Sequence, residues 1–152
     1  MYATLGLMLV VSFVVMFGLM YSMINSPGDF YLNLNQFYMT LTMVGSMLVI
    51  GIIVMWHFYP NHQLNYALIA AGILVTAVAF LAIQKQFAVG DRDFLKGMIP
   101  HHSAALTMAA SPVAKSKNPQ IKILAQHIID SQKCEIAYMK ALLQNPNLPY
   151  PC

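Results

Sequence analysis

Three long apolar runs, separated by short polar breaks, fill the first 84 residues. The first extends from about Thr4 to Ile24 and is broken by Asn25, Ser26, Pro27, Gly28 and Asp29. The second extends from about Phe37 to Phe58 and stops at Tyr59, Pro60 and Asn61. The third extends from about Leu64 to Ile83 and ends at Gln84, Lys85 and Gln86. A bilayer core of about 30 Å takes roughly 20 helical residues, so each run is long enough to cross one. Tyr21, Phe37, Tyr38, Trp56 and Tyr59 fall near the ends, where interfacial aromatics belong. The first run has no basic leader and no small-x-small cleavage site, so a retained span is expected rather than a signal peptide.

Beyond Lys85 the pattern changes to helical amphipathicity. A helix is expected from Asp91, as N-cap, to about Ala110, with a kink at Pro100 because proline lacks the backbone donor. Ser111 to Asn118 reads as a loop. Asn118 followed by Pro119 is a helix start signal, and the second helix is expected to reach about Leu143. Ile121, Leu124, Ile128, Met139 and Leu142 recur at helical spacing on it, with Gln132 and Glu135 on the same face. Polar groups on an apolar stripe need partners, which a metal ion or the first helix's histidines can supply; a surface-facing edge or a Glu–Lys pair is the equal alternative. The fold class is therefore all-α, with a three-span transmembrane domain over 1–86, a helical domain over 87–145 and an extended Pro-rich tail over 146–152.

Composition agrees with this division. The chain of 152 residues is 59% hydrophobic and 9% charged, with a net charge of +3, far from an ordinary soluble domain. All Lys and Arg lie from Lys85 onward. No basic run is interleaved with aromatics, so nucleic acid is not an expected partner. Cys134 and Cys152 form no metal-ligand spacing; pairing with each other, pairing between chains and free thiols all stay open. Lys85, Arg92 and Lys96 follow the third span while the short loops carry no Lys or Arg, which by the positive-inside rule places the C-terminal domain in the cytoplasm.

The candidate chemistry lies in Met98-Ile99-Pro100-His101-His102 and the residues after it. Imidazole suits copper, zinc, iron and nickel, and thioether sulfur favours Cu(I). On a straight helix His101, Ala105 and Met108 share a face, while His102 points about 100° away. His127, Ser131, Cys134 and Tyr138 form another face, read as a helix contact with soft-metal binding as the lesser alternative. Met16, Met20 and Met23, then Met39, Met43 and Met47, repeat at helical spacing in the spans, and a Cu(I) path through them is a third reading. His57 and His62 read as interfacial. With one glutamate and no Glu-x-x-His unit the chain cannot build a di-iron carboxylate site. It has no phosphate loop, nucleophile elbow or His-Glu-x-x-His motif, so no enzyme is expected.

Asp91, Phe94, Met98 to His102, Ala105 and Met108-Ala109, followed by Leu124-Ala125, Ile128-Ile129, Gln132, Glu135-Ile136 and Met139, resemble the ferritin-like domain of unknown function family 305, over about residues 91–145. The three spans ahead of them look like a membrane-anchored subgroup. The resemblance implies a helical metal-binding domain, copper favoured and bacterial in setting; its relatives lie outside the cytoplasm, which opposes the positive-inside rule and leaves the side of the C-terminal domain open. It also implies a four-helix arrangement, which a homo-oligomer would complete by pairing hairpins. The expected ligands are Met98, His101, His102 and Met108, with Glu135 and Met139 from the second helix. The expected function is copper binding, buffering or tolerance by a protein of the bacterial plasma membrane, with Cu(I) favoured over other transition metals. The alternative is an accessory subunit of a membrane assembly, in which the His pair is a buried polar network.

Overall fold

Helices form wherever the apolar runs and the amphipathic segments lie, and a computed structural model describes all 152 residues without a strand. The helices are α1 (Tyr2–Leu19), α2 (Leu34–Val54), α3 (His62–Gln84), α4 (Asp91–Lys115) and α5 (Pro119–Leu142). They divide into two compact units, one of residues 1–20 with 34–88, the other of residues 21–33 with 89–152. The boundary at residue 86 is close to the second division, but residues 21–33 leave the span region and pack with the C-terminal helices. We call this segment the strap.

In the first unit, α1, α2 and α3 are each long and apolar enough to cross a membrane. At 1.5 Å per residue they measure about 27, 31 and 34 Å, close to the hydrocarbon thickness. The first two helices end earlier than expected, at Leu19 and Val54, and Trp56–Phe58 forms a separate 3-10 turn. Between α2 and α3 the backbones meet at Gly45 and Gly72. A Cβ on Gly72 would lie 2.9 Å from the Gly45 carbonyl oxygen, and one on Gly45 would lie 3.0 Å from that of Gly72. Small residues permit such approach where lipid offers no hydrophobic drive. At one end Asn65 is fully buried, donating to the Tyr59 carbonyl at 2.9 Å and accepting from the Tyr2 hydroxyl at 2.8 Å. That pairing removes the cost of burying an amide.

In the second unit, α4 and α5 form an antiparallel hairpin around Ile99, Leu106, Ile136 and Met139, with Tyr31 of the strap packed against them. Two boundaries differ from expectation. Gly90, not Asp91, is the N-cap, which puts Asp91 and Asp93 in the first turn, where carboxylates suit the helix dipole. The helix also continues through Ser111 and Pro112 to Lys115. Proline forfeits one donor but not the helical path, and the Ser116 N–H closes the end on the Pro112 carbonyl at 3.0 Å. The start of α5 is as expected: the Asn118 side chain accepts from the Gln120 N–H at 2.9 Å ahead of Pro119.

Cys134 and Cys152 form a disulfide that ties the tail to α5. The Tyr138 hydroxyl donates to the Leu148 carbonyl at 2.9 Å beside it. This removes Cys134 from any soft-metal site with His127.

Candidate metal centre

His102 owes its position to helix geometry. Its Nδ1 lies 2.9 Å from the Met98 carbonyl oxygen one turn earlier. A carbonyl only accepts, so Nδ1 carries a proton and donates. Nε2 is thereby turned toward α5, where it meets Glu135 Oε2 at 2.8 Å. The other carboxylate oxygen accepts from the Ser131 hydroxyl at 3.2 Å. The chain's sole glutamate, on the apolar face of α5, thus finds its partner in the histidine pair of α4. A single proton occupies the line between Nε2 and Oε2, whichever atom holds it.

His101 is exposed, with its ring centroid 6.0 Å from that of His102. Met139 is buried in the hairpin core and Met98 packs at its edge. Met108 is 62% exposed and lies farther along α4, in an open apolar groove of about 280 Å³ with Ala105, Pro112, Ile121, Leu124 and Ile128. Of the six expected ligands, His102 and Glu135 are in direct contact, while Met108 stands apart toward the hairpin tip. No group of three or more His, Cys, Asp or Glu side chains comes together.

A second polar cluster lies one residue along α4. Ser103 is fully buried; its hydroxyl accepts from the Asn25 N–H at 2.7 Å and donates to Asp29 Oδ2 at 2.5 Å. Asp29 Oδ1 accepts from Lys140 Nζ of α5 at 2.5 Å. Asp29 is 4% exposed, and every buried side-chain nitrogen and oxygen is paired. Ser103 therefore fastens the strap and is out of reach as a nucleophile. Within the strap, burial pushes the Tyr21 phenol above its ordinary 10.0, opposed by the hydrogen bond with Asn33. The neutral hydroxyl donates to the Tyr31 carbonyl at 2.9 Å.

In the sequence Asp29 reads only as a break after the first span and Ser103 only as a residue that adjacency to His102 does not make a nucleophile; their pairing with each other and with Lys140 is not readable from it. One signal was available: Asp29 is the only charged side chain before Lys85. A lone carboxylate between two apolar runs needs a cation from elsewhere in the chain.

Residues 79–149 match the family described as Domain of unknown function (DUF305). The match takes in the paired histidines, Glu135 and the end of α3. A protein of Acanthamoeba polyphaga mimivirus, named Uncharacterized protein L153, is 41% identical over 125 residues, covering 82% of this chain and 80% of its own length. The chain belongs to the DUF305 family. That extent of identity carries the kinship beyond the DUF305 segment and into the spans. This relative is viral, so it lends nothing to the bacterial setting expected from the sequence. No solved structure matches the chain.

Proposed function

We propose that this DUF305 protein is a membrane-anchored binder of a transition metal, copper favoured, that holds the ion rather than transforming a substrate. The observation that carries the reading is His102, with Nδ1–H fixed on the Met98 carbonyl and Nε2 aimed at the Glu135 carboxylate. A ligating histidine characteristically donates its other ring N–H to a carbonyl, which fixes the tautomer and the ring. His102 and Glu135 would hold the ion, with the His101 imidazole or the Met98 and Met139 thioethers as further donors. These soft sulfurs and imidazoles favour Cu(I) among the candidates. Metal would replace the proton between Nε2 and Oε2, so uptake releases protons and weakens as pH falls. The strap covers the half of the hairpin that carries His102, so the proposed site stands within one chain and does not call for the second copy invoked to complete a four-helix bundle.

The test is metal analysis by mass spectrometry on the detergent-purified protein, loaded with Cu(I) and washed. Wild type is expected to retain near-stoichiometric copper, and His101→Ala with His102→Ala to lose it. Equal retention by both forms removes the site. Retention by neither, with an intact fold, favours the second reading, an accessory subunit in which His102–Glu135 is a polar link between helices. Both His102 nitrogens are already engaged, and that observation supports the alternative.

The Cys134–Cys152 disulfide supports an orientation opposite to the positive-inside reading, because disulfides persist in oxidising compartments. We place the C-terminal domain on the oxidising face of its membrane and the N-terminus on the reducing face. In intact cells or virions, an impermeant maleimide is expected to label both thiols only after reduction. Labelling of both thiols without reductant, once the membrane is opened, reverses the orientation.

A further inference from the structure

The end of the hairpin farthest from His102 is apolar and cationic at once. Leu124 is 61%, Ile123 50% and Ile121 46% exposed, and Met108 stands open beside them. Lys115, Lys117 and Lys122 surround this surface, exposed and without an ion-pair partner. No Asp or Glu occurs between Asp93 and Asp130. The groove between Ala105, Met108 and Pro112 of α4 and Ile121, Leu124 and Ile128 of α5 is lined by no charged side chain. The exposed apolar residues are not confined to one stripe, since Ile123 lies on a different face of α5 from Ile121 and Leu124.

We infer that this tip docks on an anionic lipid surface, that of the bilayer holding the spans. Apolar side chains enter the boundary between headgroups and acyl chains while lysines meet anionic headgroups. Charge decides against a second copy of the chain, because pairing two tips doubles the lysines at the contact and brings no carboxylate to neutralise them. Nucleic acid lacks a match, as the tip offers no arginine and no Phe, Tyr or Trp for stacking. The chain tethers the hairpin to its three spans, so a patch too weak to bind from solution gains a high effective concentration at a lipid surface. Each lysine near such a surface contributes about fivefold in partitioning, and three on the order of a hundredfold. The inference does not rest on metal binding.

The test uses the full chain in lipid nanodiscs, with Trp56→Phe and Leu124→Trp leaving one tryptophan at the tip. Discs of phosphatidylcholine are compared with discs carrying about one-third phosphatidylglycerol, an anionic lipid not confined to the cytoplasmic leaflet, each with brominated acyl chains as quencher. Quenching of the tip tryptophan is expected only in the anionic discs, with loss in high salt and in Lys115→Gln, Lys117→Gln, Lys122→Gln. Equal fluorescence in both discs overturns the inference. So does a blue shift without bromine quenching that grows with protein concentration, which identifies a second copy. Quenching only when separate brominated anionic vesicles are added overturns the choice of bilayer.

Discussion

Replacing Gly72 by leucine is expected to separate α2 from α3 and to destabilise the span unit by about 1–3 kcal/mol, the range of overpacking in a close-packed site. A Cβ at Gly72 already falls 2.9 Å from the Gly45 carbonyl oxygen and 2.7 Å from Val49 Cγ2. The Val49 methyl can turn aside, but the carbonyl belongs to a helix backbone and cannot. Gly72→Ala is expected to show the same sign at smaller size. Gly6→Leu is the control, since nothing lies within 4 Å of its added Cβ. Unfolding in mixed micelles, or cross-linking between cysteines placed on α2 and α3, reads the difference. A Gly72→Leu protein as stable as Gly6→Leu would show that the helices do not approach at this point.

Lys140→Met is expected to cost more than Asp29→Ala, although both remove the same ion pair. Asp29 is 5% exposed at its side chain and Lys140 35%. Without Lys140 the carboxylate stays buried with only the Ser103 hydroxyl, and breaking a buried pair from that side costs about 3–5 kcal/mol. Without Asp29 the lysine turns to water, leaving chiefly the Ser103 hydroxyl unpaired at about 1–3 kcal/mol. Hydrogen exchange of the Asn25 and Asp29 amides in the full-length protein measures strap release. Equal losses, or a larger one for Asp29→Ala, would contradict the burial asymmetry. Asp29→Asn with Lys140→Met removes both charges together and is expected to recover part of the loss.

The elements were legible because their signals are local. Apolar length announces a span, and Asn118-Pro119 announces a helix start whatever surrounds it. The His102–Glu135 contact was half legible: a lone glutamate on the apolar face of α5 demanded a partner, and the paired histidines were the nearest candidates. Which histidine answers depends on a 100° difference around α4, and the tautomer depends on the Met98 carbonyl, neither of which the sequence prints. The strap was not legible, because Asn25 to Asp29 have the composition of any turn between spans. Their role arises from Ser103 and Lys140, whose partners are 74 and 111 residues away. The apolar stripe on α5 does face α4, but it is only partly covered. Met139 is buried in the hairpin core, while Ile121 and Leu124 line the open groove beside α4, since the strap covers only one half of the hairpin.

The 111 residues between Asp29 and Lys140 also set an order of events during synthesis. At about 5–20 residues per second, the strap leaves the ribosome roughly 5–20 s before α5 can hold it. During that interval α1 and α2 can insert, and Asp29 has neither Lys140 nor Ser103 available. An element made later thus completes a structure begun by one made earlier. A fragment cut at residue 79, where the family match begins, would start life without the strap. Tyr31 would be missing from its core, and Ser103 would have lost both of its partners.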